Sequence, residues 1–216
     1  GDTRMATTAG FREAGTGRLS LVVDCCEAGG SKILGGPLYS VIGEFSGAGP
    51  TEEEWARSQG VIRDVADHAA KSDISLTFEF LNRFEIYLLN TAADTARYVA
   101  ELDRPNVGIH YDTFHAHIEE KDSAAAIRKN ANAITHVHIS ENDRSTPGEG
   151  QVAFESTFDA LTDVGYDGWL TIEAFGSALP SLAAATKIWR RMFQDEETLA
   201  RKGHDFIRRE WAKRKA

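Results

Sequence analysis

Cysteine is nearly absent: Cys25 and Cys26 are the whole complement, and they are adjacent. That spacing fits neither a zinc knuckle nor a redox C-x-x-C pair. They read as helix residues of a chain kept in a reducing compartment. No apolar run approaches 18 residues, so no membrane-spanning helix is expected. Residues 1–20 are rich in Thr, Gly and Ala and lack an apolar h-region, so no secretory signal is expected and the cytoplasm is the expected location. Positive charge is in deficit, with 24 Lys+Arg against 33 Asp+Glu and a net charge of −9. This argues against nucleic acid or an anionic membrane as the main partner. No low-complexity linker interrupts the chain. What remains is an ordinary globular composition, 42% hydrophobic and 26% charged over 216 residues. That length suffices for one domain with a full core, expected over residues 1–216.

Four short segments each end in a residue able to hold a divalent ion: Leu-Thr-Phe-Glu79, Ile-His-Tyr-Asp112, Thr-His-Val-His138 and Leu-Thr-Ile-Glu173. Each reads as a β-strand with its candidate ligand at the C-terminal end. Side chains i and i+2 share a face of a strand. Leu76 and Phe78 then oppose Thr77 and Glu79, and Leu170 and Ile172 oppose Thr171 and Glu173. Val107, Ile109 and Tyr111 oppose Gly108, His110 and Asp112, while Thr135, Val137 and Ile139 oppose His136, His138 and Ser140. The ligand candidates always fall on the small or polar face. Three carboxylates and one imidazole suit Mn²⁺, Mg²⁺ or Co²⁺ better than a thiolate-type zinc site. Parallel α/β folds place their chemistry at strand C-termini.

Five strands, about 32–36, 75–80, 107–112, 134–140 and 169–173, alternate with helices, which predicts parallel β/α units. Thr51-x-x-Glu54 is a capping-box pattern that opens a helix toward Lys71. Thr91-x-x-Asp94 opens another, stopped near Arg104-Pro105-Asn106. Further helices are expected over about 122–131, over 156–164 ahead of Gly165, and from about Asp195 to the end, with Leu199, Phe206 and Trp211 as its apolar contacts. The basic residues of 201–216 read as a solvated helix face. Trp55, Trp169, Trp189 and Trp211 read mostly as core or helix-packing residues. Gly35 reads as a glycine permitting close backbone approach, and Gly148-Glu149-Gly150 is too weak a pattern for a phosphate cradle. Five strands do not close an eight-stranded barrel, and a typical one takes about 250 residues.

Plainer readings stand beside the ligand reading. Arg83 and Lys32 are possible salt-bridge partners for a buried Glu79 or Glu173. Asp112 before Thr113 could be an N-cap. His138 could be an interior histidine bonded to a carbonyl, and His110 and His136 could fill the interior. Arg144 could be a loop cation, and His68 and His204 read as helix residues in solvent or packing.

The blocks Phe-Glu79-Phe-Leu-Asn82-Arg83-Phe-Glu85, Tyr-Asp112-Thr-Phe-His115, His136-Val-His138-Ile-Ser-Glu141-Asn-Asp-Arg144 and Ile-Glu173-Ala-Phe175 occur in this order. Together they resemble the ketose 3-epimerases of the xylose-isomerase-like superfamily, from about Leu19 to the C-terminus. The resemblance implies a TIM-type (β/α)8 barrel, of which this chain supplies about five units, strands 4–8, without counterparts of the first three strands. Residues 1–18 resemble the connection into the family's third helix. The resemblance implies one divalent ion, Mn²⁺ before Mg²⁺ or Co²⁺, held by Glu79, Asp112, His138 and Glu173. It implies that Glu79 and Glu173 are also the catalytic acid/base pair, and that Glu85, His115 and Arg144 bind the hydroxyls of a sugar. His117, Tyr111 and Ala174 depart from the family's usual Asn, Leu and Ser or Pro. The activity implied is epimerisation of a ketose at C3 through an ene-diolate. The rivals are an aldose–ketose isomerase or β-eliminating lyase on the same scaffold, an abasic-site endonuclease, which the charge opposes, and an inactive remnant. Exposed edges predict either a homo-oligomer that covers the open side or a loosely ordered segment over residues 1–20.

Overall fold

The computed structural model describes residues 9–214. In chain order the elements are α1 (Ala9–Ala28), β1 (Ile33–Gly36), α2 (Glu52–Ala70), β2 (Ser75–Glu79), α3 (Ala92–Leu102), β3 (Val107–Asp112), α4 (Thr113–Glu119), α5 (Ser123–Asn130), β4 (Ile134–Ile139), α6 (Phe154–Asp163), β5 (Leu170–Ile172), α7 (Pro180–Thr186) and α8 (Glu196–Ala212). The five strands form one sheet in sequence order, with parallel pairing of β1 to β2, β2 to β3 and β4 to β5. Helix–strand alternation therefore produces the expected parallel β/α arrangement of the TIM-barrel class. Contacts group the chain into two compact units, Gly1–Tyr111 with Asn132–His136, and Asp112–Ala131 with Val137–Ala216.

In the first unit, α2 starts where the capping box places it. The Thr51 hydroxyl accepts from the Glu54 N–H, and the Glu54 carboxylate accepts from the Thr51 N–H at 2.8 Å. Trp55, Ile62 and Val65 of α2 are buried, as are Leu76 and Phe78 on the apolar face of β2. Tyr98 of α3 is the hub of this packing, with edge contacts to Phe78 at 5.6 Å and Trp55 at 5.2 Å. Each such side chain contributes roughly 1.5–3 kcal/mol on burial. The Tyr98 hydroxyl is not stranded, since Ser58 Oγ lies 2.7 Å from it. Gly35 sits where a Cβ would stand 2.8 Å from Thr77 Oγ1, so close approach is the reason for glycine there. At Gly108 of β3 a Cβ would run into the Thr135 side chain.

In the second unit, Phe154 and Phe158 of α6 meet Phe206 of α8 at 5.2 and 6.0 Å, and Trp211 meets Phe158 at 6.2 Å. Gly203 lets α8 lie against β5, with Ile172 Cδ1 2.9 Å from where a Cβ would stand. Asp122 and Asp195 cap α5 and α8 through their side chains.

Several expectations need correction. Helix α1 begins at Ala9, well before Leu19, so residues 9–20 are helical. The rest of that expectation, residues 1–8, lies outside the described residues. Cys25 and Cys26 are free and helical, as expected. Helix α6 begins at Phe154 rather than Ser156, without a side-chain cap to mark it. His115 lies on α4, whose seven residues carry too little apolar periodicity to read as a helix. Trp55 is buried, but Trp169 and Trp189 are 71% and 74% exposed.

Candidate metal centre

Three of the expected ligands lie in the second unit. Asp112 ends β3, His138 sits in β4, and Glu173 follows β5 directly. Ligand atoms of the three are all within 4.8 Å of one another. His138 Nδ1 is 3.7 Å from Asp112 Oδ2 and 3.5 Å from Glu173 Oε1. Donors that share one small divalent ion at about 2.1 Å stand roughly 3–4 Å apart. The donor set therefore fits such an ion in both chemistry and spacing.

Asp112 spends only one of its two oxygens on the N-cap. Oδ1 accepts from the N–H groups of Phe114 and His115 at 2.8 and 3.1 Å, starting α4. Oδ2 is buried and accepts no hydrogen bond from the described residues. A buried carboxylate oxygen left this way is costly, and a cation removes the cost.

Arg144 is more than a loop cation. It is 8% exposed, and its guanidinium lies 3.7 Å from the Phe114 ring centroid and 5.1 Å from that of Phe175. Its Nη1 donates to Glu173 Oε2 and, at 3.1 Å, to Ser140 Oγ. Its Nη2 is 3.0 Å from His115 Nε2. A guanidinium only donates, so Nε2 is the acceptor and His115 is neutral. Burial, and next the Arg144 charge, push the His115 pKa well down, which agrees.

The two carboxyls respond in opposite directions. Burial dominates at Asp112 and raises its pKa, with Glu173 adding to the rise against the opposing charges of Arg144 and His138. At Glu173 burial also pushes upward, but the His138 hydrogen bond and the charges of Arg144 and His138 outweigh it and lower the pKa. Glu173 is thus held toward its anionic form, while burial pushes the Asp112 carboxyl up to about 7.

Glu79 and Glu85 belong to the first unit. Glu79 closes β2 with its side chain buried, and its carbonyl accepts from the Tyr39 hydroxyl at 2.9 Å. Its strand register is opposite His110. Lys32, one salt-bridge partner considered for it, pairs instead with Asp73 at 3.3 Å. Glu85 is half-buried in the turn after β2, where Asn82 Nδ2 donates to it at 2.9 Å. His110 and His136 meet edge to face at 4.8 Å in the interior.

Residue patterns missed two features. Thr113 Oγ1 donates to the Ser140 carbonyl at 2.7 Å and accepts from the Ser140 N–H at 2.8 Å, tying α4 to the end of β4. Glu141, fully buried, gathers the loop that follows β4. An acidic residue at a strand end followed by Gly148-Glu149-Gly150 was the available signal, read only as an absent phosphate cradle.

Residues 7–210 match the family described as xylose isomerase-like TIM barrel. The ketose 3-epimerase of Arthrobacter globiformis is 37% identical over 198 residues, 91% of this chain and 68% of that protein. The L-ribulose 3-epimerase of Mesorhizobium japonicum is 39% identical over 183 residues, 84% of this chain and 61% of that protein. The chain thus spans about two thirds of the length of these relatives. Among solved structures, an L-ribulose 3-epimerase superposes with a TM-score of 0.93 at 32% identity, covering 99% of this chain and 72% of the other. A D-allulose 3-epimerase from Methylomonas sp. in complex with D-allulose gives 0.91 at 32% identity, covering 96% and 73%. The chain belongs to the ketose 3-epimerases of the xylose isomerase-like TIM barrel family.

Proposed function

We propose that this chain carries the centre of a divalent-metal-dependent epimerase acting on C3 of a ketose, its five strands belonging to one TIM-type barrel domain. The observation that carries the reading is the buried Asp112 Oδ2, without a hydrogen-bond donor and grouped with His138 and Glu173. Glu79 is the fourth ligand in this reading. Its support is its place at a strand C-terminus, its burial, and its register with His110, two residues before Asp112 on the same face of β3. An ion held by these four, Mn²⁺ before Mg²⁺ or Co²⁺, supplies Lewis acidity that makes a C–H beside a carbonyl more acidic.

The chain's own residues do the rest. One of Glu79 and Glu173 removes the C3 proton, giving an ene-diolate, and the other returns a proton to the opposite face. Glu173 is available in the unprotonated form because Arg144 and His138 keep it ionised. Neutral His115, Arg144 and Glu85 bind sugar hydroxyls, so the partner is a small ketose, in keeping with the names of the relatives. Trp169 and Trp189, large apolar side chains left exposed, support a homo-oligomer.

The test is a panel of ketoses incubated with the chain and Mn²⁺ and resolved by chromatography. C3 epimers are expected. Aldose products or dehydrated products in their place would move the chain to an isomerase or a lyase.

A further inference from the structure

One buried carboxylate has no part in the chemistry above. Glu141 Oε1 accepts from the backbone N–H groups of Asn142 at 3.0 Å, Gln151 at 3.0 Å and Val152 at 2.9 Å, and Oε2 accepts from Gly148 at 2.9 Å. Four amide donors on one ionised group are charge-assisted bonds and satisfy a carboxylate that burial would otherwise penalise. Gly150 presses on the same side chain: a Cβ there would stand 2.5 Å from Glu141 Cγ and Cδ. The loop from 141 to 152 is therefore wound about this carboxylate as closely as glycine allows.

Arg144 rides on that loop. Its φ of 60° lies in the left-handed region, unfavourable for a long side chain and kept only where the surroundings fix it. Its N–H donates to the Glu141 carbonyl at 2.9 Å, and its own carbonyl accepts from the Phe175 N–H at 2.9 Å. The guanidinium is thereby delivered between two aromatic rings and onto Glu173, Ser140 and His115.

We propose that Glu141 is a positioning residue. By gathering the backbone amides of its loop, it fixes the strained turn that holds the Arg144 guanidinium against Glu173 and His115. The kinetic part of the test rests on the epimerase reading; the spectroscopic part does not. Glu141→Gln keeps the shape of the side chain but offers one acceptor oxygen, and turns an NH₂ toward backbone N–H groups. In the Mg²⁺-supplemented protein, NMR should show slowly rotating Arg144 Nη protons, assigned by their loss in Arg144→Lys. In Glu141→Gln these signals should coalesce while backbone signals outside the loop stay in place. KM for the ketose should rise about tenfold, the scale of one lost charge-assisted hydrogen bond, with a smaller change in kcat. The same substitution should cost little in an Arg144→Lys background. Unchanged Arg144 signals in Glu141→Gln, or an equal kinetic cost in both backgrounds, would overturn the proposal. Gly150→Ala crowds the carboxylate without removing it and stands in, with the same expected losses, where Glu141→Gln does not fold. A parent chain that turns over no ketose refutes the epimerase reading and leaves the Arg144 signals to decide the role of Glu141.

Discussion

Glu173 is where the residue scale is most demanding, because the proposed reading makes this ion-pair partner of Arg144 a ligand and a proton carrier as well. Glu173→Gln should lower kcat by several decades, measured as ketose turnover with Mn²⁺, since it removes a charge and a proton shuttle together. The unmodified chain turning over in D₂O should place deuterium on the epimerised carbon; product free of deuterium would count against separate acid and base groups. Asp112 yields a second expectation. Its raised pKa favours the protonated carboxyl in the metal-free chain. That contribution to stability is full below the unfolded value of about 3.9 and fades as pH rises through the folded one. Metal binding needs the carboxylate, so affinity should climb across that same interval with release of a proton. Glu173 has the opposite sign: its stabilisation is present above about 4.3 and is lost only as pH falls through its lowered value. Titration calorimetry in buffers of different ionisation enthalpy measures the proton release, and its absence would exclude Asp112 as the group that titrates. The clustering of Asp112, His138 and Glu173 was legible because strand parity groups side chains at i and i+2. Glu141 was not, because its partners are backbone amides, and main-chain donors leave no letter in a sequence.

Among the elements, helix starts carried by side chains were the most readable. Thr51 and Thr91 cap where the pattern puts them, and Asp122 and Asp195 cap helices expected to begin near them. Thr51→Ala should cost about 1 kcal/mol, seen as a lower midpoint in urea with an unchanged slope; a shift near zero would mean that Glu54 holds the turn alone. The elements that escaped were α7 and the early turns of α1 and α6. Helix α6 has no side-chain cap, and α7 is a single short stretch after Pro180. Gly108 shows a different limit. Its alternation was read correctly as facing away from the apolar side, but its need for glycine comes from Thr135, on another strand. Gly108→Val should destabilise by several kcal/mol through overpacking, and thermal melts would show it as a large fall in Tm.

For the molecule as a whole, the remaining expectation is association. Leu179 and Trp189 are 63% and 74% exposed in the second unit, and Leu21 and Phe45 are 64% and 50% exposed in the first. Apolar groups left in water in such number mark surfaces that meet other surfaces. Light scattering should report a mass above the 23.7 kDa of one chain, and Trp169→Glu with Trp189→Glu should move the mass toward that value. A parent chain scattering at 23.7 kDa would remove association from the description. The two tryptophans were misplaced by the sequence reading because size and apolarity favour burial, whereas exposure at a surface is set by what lies beyond the chain.

The divided use of Asp112 has a consequence for how this scaffold can change by mutation. Asparagine retains an oxygen able to serve Phe114 and His115, so α4 survives the exchange, while the group facing His138 becomes an amide that no cation seeks. Aspartate and asparagine codons differ by a single base. If the proposed centre holds a metal, a folded descendant blind to it is therefore one transition away, and position 112 is the place to look for it.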